Sequence, residues 1–310
     1  MTDRGISLAD DIMTWIESVT SSRLVHADRI PGGGTREGWF IDFESADGTV
    51  SNLFLRYTPT AMPDNTAFHS LATEAQVVRA LGSSDVPVAR IVAIHPEREA
   101  VVMERVDPDT WFYRIREPDE QVSVAQDFRR SLAAQHRLDP DTLDVPALGP
   151  VRSAREHALE RIADIRRRGT DAGGEIDPLL RVTLDWLEAN VPDYDGPVVL
   201  VQGDTGPGNF LHRDGKVTAV LDWELCHFGD PMDDIAWLSL RTVQDTFTHL
   251  PDHLREYEQL SGHTVDVDRV WYYRVFAEAT MTTLPQRCVN GRDGHSATSA
   301  GRGNATLRAR

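Results

Sequence analysis

The sequence predicts an α+β chain, with a small part built mainly from antiparallel strands followed by a mainly helical remainder. Up to Val106, short apolar runs alternate with turn signals, whereas from Val122 onward apolar residues recur at steps of three and four. The length, 310 residues, suits two lobes or domains, each large enough to bury a core without staples.

The elements follow in order. Leu8, Ile12, Trp15, Ile16 and Val19 give a helical stripe within Met1 to His26, expected to cap the first lobe. After Pro31 come Gly32, Gly33, Gly34 and Thr35. Phe40, Ile41 and Phe43, the turn signal Asp47-Gly48 and the run Leu53 to Tyr57 then read as a β-hairpin. From Thr66 the period changes: Ala67, Leu71, Glu74, Val78 and Leu81 mark one helix face, and Gly82 stops it. Glu74 therefore lies on the apolar stripe. Val88 to Ile94 and Ala100 to Val106 are two further strands. Helical patterns follow over Val122 to Arg137, Val151 to Arg168 and Pro178 to Asn190. Short strands return at Val198 to Val201, Asn209 to His212 and Val217 to Leu221. After Gly229, Asp230 is an N-cap candidate with Pro231 at the first helical position, and helices resume around Phe247 to Leu260 and Val267 to Leu284. From Arg287 periodicity is lost, and a disordered tail is expected over residues 287–310.

Composition excludes several functions. Lys and Arg total 32 against 49 Asp and Glu, a formal net charge of −17, so the chain repels a phosphate backbone and nucleic acid is not an expected partner. Cys226 and Cys288, the only cysteines, make neither a disulfide framework nor a zinc cage. The eleven histidines form no metal-binding pair, and surface or capping roles are expected for most. Asp230, Asp233 and Asp234 read as an N-cap, a third-position acid and a buried loop brace rather than a metal cluster. Trp237, Trp271, Tyr272 and Tyr273 read as core or pocket wall. No basic leader and no apolar run of about 18 residues is present, so a cytoplasmic protein with no membrane partner is expected. Oligomeric state is left open.

The chemistry concentrates in Gln202-Gly203-Asp204, Asn209 and Asp222-Trp223-Glu224. A strand delivers Asp204 to a loop, Asn209 opens the next strand, and the hairpin returns Asp222. Phosphoryl transfer from a magnesium nucleotide needs such a set: one carboxylate to orient the attacking hydroxyl, and an amide and a carboxylate to hold hard cations.

These motifs, with Gly229-Asp230-Pro231 and Asp234-Ile235-Ala236, resemble the aminoglycoside phosphotransferase and choline kinase-like superfamily over roughly Pro31 to Leu284. Within it the chain is most similar to bacterial phosphotransferases related to the kinase-like domains of some acyl-CoA dehydrogenases. The resemblance implies a bilobal protein-kinase-like fold: a nucleotide-binding N-lobe over residues 1–106 and a helical catalytic and acceptor lobe over 107–286. It implies ATP or GTP and Mg2+ as cofactors and a hydroxyl of a small molecule as acceptor. Asp204 would be the catalytic base, and Asn209 and Asp222 the metal ligands. Gly32, Gly33, Gly34 and Thr35 would form the nucleotide loop, with Arg56 and Glu74 as the phosphate-side ion pair. Met103, Glu104 and Val106 would lie where adenine meets the chain. The family's histidine is Gln202 here, whose amide can donate and accept in its place. Arg56 stands where many kinases carry lysine. The second reading is a nucleotide-binding pseudokinase acting as sensor or scaffold, which Gln202 and the tail favour and intact Asp204, Asn209 and Asp222 oppose.

Overall fold

A computed structural model of the chain describes residues 8–30, 36–59, 68–170, 175–244 and 247–290. Five strands form an antiparallel sheet in the order β1-β2-β3-β5-β4: β1 (Arg23–Ile30), β2 (Glu37–Glu44), β3 (Val50–Tyr57), β4 (Ile91–Ile94) and β5 (Ala100–Glu104). The hairpin β2–β3 closes at the expected turn. Gly48 takes φ +84, which an L side chain resists, while Asp47 accepts the Thr49 amide.

Strand alternation then sorts the side chains of β3. Leu55 and Tyr57 face α1 (Asp10–Thr20) in a core with Ile12, Ile16, Ile41 and Val102. Arg56, opposite Val101, goes to the other face, where α2 (Leu71–Leu81) packs through Leu71 and Ala75. Ser70 caps α2 by accepting the Thr73 amide.

The helical pattern expected through His26 divides here. α1 ends at Ser21, which takes a left-handed φ of 52°, and β1 follows. Leu24 is fully buried among the sheet residues, so the ladder with β2 wins over continued helix. The Gly32 to Thr35 run and Thr66 and Ala67 lie outside the described residues.

The helical part comprises α3 (Pro118–His136), α4 (Ala154–Thr170), α5 (Pro178–Ala189), α6 (Met232–Gln244), α7 (Leu250–Ser261) and α8 (Val267–Asn290). Two ribbons sit among them: β6 (Val199–Val201) pairs with β9 (His227–Gly229), and β7 (Phe210–Arg213) with β8 (Lys216–Val220). Three residues long, β9 carries no pattern of its own and exists through its ladder with β6. Asp230 accepts the Met232 amide at the start of α6, as an N-cap does. α8 runs to Asn290, past the point where loss of the apolar stripe suggested a tail; residues 291–310 are outside the described set. Trp237, Tyr272 and Tyr273 are buried, but Trp271 is exposed and belongs to no core.

His136, His157, His212 and His253 are buried rather than at the surface. His253 shows why: its ring lies against Phe247, Nδ1 faces the Arg129 guanidinium at 2.9 Å, and Nε2 meets the Phe247 carbonyl at 2.7 Å. That pattern fits the neutral ring donating from Nε2. Burial, then the Arg129 charge, lowers its pKa to about 4; burial and His227 lower that of His157 to about 4. Both rings titrate near 6.5 when unfolded, so the unfolded chain binds more protons below that pH. Their contribution is fully present above pH 6.5 and lost as pH falls toward 4. The melting temperature is expected to drop steadily on acidification through this window, and His253→Gln to flatten part of that slope; an unchanged slope in the variant contradicts the assignment.

Candidate active site

The site forms where the sheet meets the loops around β6 to β9. Its first component is an ion-pair network. Glu74, buried on the inner face of α2, receives two arginines: Arg56 Nη1 donates to Oε2 at 2.9 Å, and Arg36 Nη1 donates to Oε1. Arg56 Nη2 reaches Asp222 Oδ1 at 3.0 Å, and Arg36 Nη1 reaches Glu224 Oε2 at 3.1 Å. Two cations thus join α2 to the segment after β8, while the His69 amide donates to the Glu224 carbonyl at 2.9 Å. A buried carboxylate without a partner costs several kcal/mol, which explains a doubly paired Glu74.

Burial followed by the Arg56 and Arg36 charges sets the Glu74 carboxyl, and burial wins, raising its pKa. Burial, then Asp222 and Glu74, push Glu224 up to about 7. Burial disfavours the Arg56 cation, but Glu74, Asp222 and Glu224 outweigh it and hold its pKa up. The raised Glu74 and Glu224 carboxyls lie around two guanidiniums, and an added cation would favour their ionised forms.

The second component is the Gln202 to Asn209 loop. Asp234 on α6, fully buried, braces it: Oδ2 accepts the Gln202 amide at 2.9 Å, Gln135 Nε2 at 3.0 Å and His136 Nε2 at 3.0 Å, and Oδ1 accepts the Gly203 amide at 2.9 Å and the Thr205 hydroxyl. Burial pushes its carboxyl up, yet the His136, Thr205 and Gln202 bonds outweigh burial and leave the pKa below the usual value. Gly203 takes φ +83, and a Cβ there would stand 2.5 Å from the Leu225 carbonyl oxygen, so only glycine lets the loop pass the turn between β8 and β9.

Gln202 uses its whole amide. Nε2 donates to the Leu221 carbonyl at 2.7 Å and the Asp222 carbonyl at 2.9 Å; Oε1 accepts the Asp204 amide at 3.1 Å and lies 2.9 Å from the Thr205 hydroxyl. The side chain therefore ties the Asp204 loop to the Asp222 turn through three hydrogen bonds, more than two ring nitrogens of a histidine provide.

Asn209 Nδ2 donates to Asp204 Oδ2 at 2.6 Å and to the Asp204 carbonyl at 2.7 Å, which leaves its own Oδ1 as an acceptor. Asp222 sits in left-handed backbone, φ 54°, a conformation an aspartate tolerates and one that aims its side chain back toward Arg56. Burial raises the Asp204 carboxyl against the opposing effects of Arg241 and Asn209.

Asp204, Asn209, Asp222, Arg56 and Glu74 are thus one connected group. Met103 and Glu104 end β5, next to Phe54 and Leu53 of β3; the Glu104 amide is taken by the Arg90 carbonyl at 2.8 Å. Val106 lies two residues past that strand. Gly32, Gly33, Gly34 and Thr35 fall outside the described residues. Three further residues join this group without a role assigned from the sequence. Arg36 and Arg241 are single cations whose partners lie far along the chain, and Glu224 belongs to a quoted motif without a role of its own.

The donor set fits a hard cation: oxygen atoms from an amide and a carboxylate, with further carboxyl groups nearby. Among the described residues no three His, Cys, Asp or Glu side chains form a ready-made cage. Magnesium bound to a nucleotide needs only one or two protein ligands besides phosphate and water.

The chain resembles known proteins in sequence and in fold. Rat acyl-CoA dehydrogenase family member 11 is 30% identical over 125 residues, 40% of this chain but 16% of that protein, so the chain spans a small part of the curated relatives it matches. A putative aminoglycoside phosphotransferase from Ralstonia eutropha shares the fold at TM-score 0.67 and 20% identity, covering 94% of this chain and 93% of that one. A thermostable mutant of aminoglycoside phosphotransferase APH(4)-Ia, in ternary complex with ADP and hygromycin B, aligns at TM-score 0.64 and 16% identity over 96% and 98% of the two chains. Residues 29–269 match the family described as phosphotransferase enzyme family (APH). Because that family model spans most of the chain, the chain belongs to the phosphotransferase enzyme family.

Proposed function

We propose that the protein transfers the γ-phosphoryl group of ATP, or of GTP, to a hydroxyl of a small molecule, with magnesium. The observation that carries this is the single network joining Arg56 and Glu74 in the sheet part to Asp222, Asn209 and Asp204 in the helical part. Residues 1–106 and 107–286 act in this reading as two lobes, with the nucleotide between them. The Glu104 carbonyl and the Val106 amide meet the purine edge, and Arg56, held by Glu74, donates to phosphate oxygens.

Asn209 Oδ1 and the Asp222 carboxylate would hold magnesium, which supplies charge neutralisation at the phosphates. Asp204 accepts a hydrogen bond from the acceptor hydroxyl and takes its proton as the new O–P bond forms. The bond from the γ-phosphorus to the bridging oxygen breaks, and the nucleoside diphosphate keeps that electron pair. Gln202, bonded to both the Asp204 amide and the Asp222 carbonyl, keeps base and metal ligand in register.

The acceptor is a small molecule; hygromycin B is what APH(4)-Ia holds in its complex. Phosphate release to water tests the reading without it. Incubated with ATP or GTP, the protein is expected to release phosphate slowly and only with magnesium. Nucleotide binding without release instead favours the pseudokinase, and neither binding nor release overturns the proposal.

A further inference from the structure

Arg241, near the C-terminal end of α6, belongs to none of the motifs above, yet it grips the carboxylate on which the proposed chemistry turns. Its Nε donates to Asp204 Oδ1 at 2.8 Å and its Nη2 to Asp204 Oδ2. Asn209 Nδ2 adds a second bond to Oδ2 at 2.6 Å. A carboxylate offers about four acceptor positions, two on each oxygen. Oδ2 has both of its positions filled and Oδ1 one, so the remaining position is on Oδ1. Asn209 bonds only one carboxylate oxygen; the planar two-pronged arginine fixes the carboxylate plane as well.

The loop is shaped around this side chain. Gly206, two residues after Asp204, has φ +151, and a Cβ built on it would lie 2.7 Å from Arg241 Cβ and 2.9 Å from Cγ. A glycine is thus required where the loop crosses the arginine stem. The pair is partly open to solvent, with 25% of the arginine side chain and 17% of the aspartate side chain exposed. The two-pronged contact fixes the direction of the carboxylate, and the thermal midpoint separates that role from any part in stability.

We propose that Arg241 is a positioning residue: it aims the free position of Asp204 Oδ1 at the acceptor hydroxyl, with Gly206 as the gap that admits it. This rests on the reading of Asp204 as the base. The test uses the full chain, with magnesium and ATP as the probe, and phosphate release as the readout, alongside thermal midpoints and ADP affinity.

In Arg241→Ala, kcat is expected to fall about 10- to 100-fold, the scale of a misdirected catalytic group. KM for ATP and ADP affinity should stay within about twofold, because the described partners of Arg241 lie on Asp204 and not on Arg56, Glu74 or Asp222. Added guanidinium ion should restore part of the rate in Arg241→Ala. Arg241→Lys, with charge but no fork, should stay well below wild type, and Gly206→Ala should lower kcat without rescue by guanidinium.

A kcat within about twofold of wild type in Arg241→Ala, with Asp204→Ala inactive, overturns the role of Arg241 and leaves the proposed function standing. Loss of kcat together with weaker ADP binding also overturns it, as a structural effect. Should Arg241→Ala fail to fold, Arg241→Lys decides: wild-type kcat there is the contrary result. Undiminished release by Asp204→Ala, or none by wild type, defeats the underlying reading and this inference with it.

Discussion

Replacing Asp204 with alanine is expected to reduce phosphate release and transfer by about 10³-fold while leaving the fold and nucleotide affinity intact. The side chain bonds Arg241 and Asn209 and touches neither Arg56 nor Glu74, so the proposed phosphate-binding pair keeps its geometry without it. Two opposing effects bear on stability. Burial raises the Asp204 carboxyl despite Arg241 and Asn209. A carboxyl raised on folding contributes stability below its unfolded pKa and loses that contribution as pH climbs, so at neutral pH the ionised group is a cost to the folded state. Asp204→Ala removes that cost but also leaves the Arg241 and Asn209 donors without their acceptor, so its melting temperature should stay close to that of wild type at pH 7 while it turns over far more slowly. Asp204→Asn keeps the shape but presents an amide to Arg241 and cannot take a proton, so it should fall near alanine. Initial rates with ADP titrations check both statements; a tenfold weaker ADP affinity means the residue serves binding instead.

The second large effect concerns Asp234. Five donors converge on its two oxygens from Gln202, Gly203, Thr205, Gln135 and His136, all in a site closed to water. Asp234→Ala leaves those donors unpaired in the core and is expected to cost about 3–5 kcal/mol, the range for breaking a buried ionic network. Asp234→Asn should recover little, because its NH2 group faces donors. Activity should fall with stability, since the Gln202 and Gly203 amides are what hold the Asp204 loop. Urea unfolding measures it: the midpoint should drop with an unchanged slope, and a loss below about 1 kcal/mol contradicts the bracing role.

Asp234 and Glu74 also show what the sequence makes legible. Steps of three and four put Glu74 on the buried stripe of α2, and period two put Arg56 on the sheet face toward it, so their meeting follows from two local patterns. The turn residues around Asp204 and Asp222 likewise announce a shaped loop. Other parts depend on tertiary contacts that leave no local trace. β1 was hidden because helical spacing runs on toward it, and only the ladder with β2 and burial of Leu24 reveal it. β9 is too short for any period. The burial of His136 and His253 has no local pattern, because their partners, Asp234 and Arg129, sit on other helices. Arg241 repeats this at the site: nothing around it on α6 indicates that Asp204 is its partner.

The most direct test of the account is a thermal-shift titration with ATP and magnesium on wild type and Asp222→Ala, with phosphate counted in the same tubes. Ligand at one hundred times its dissociation constant stabilises by about 2.7 kcal/mol, enough to move the midpoint visibly. The account predicts a magnesium-dependent rise with phosphate release in wild type, and loss of both the magnesium-dependent part and the release in Asp222→Ala. Equal magnesium-dependent stabilisation and equal release in the variant would contradict it.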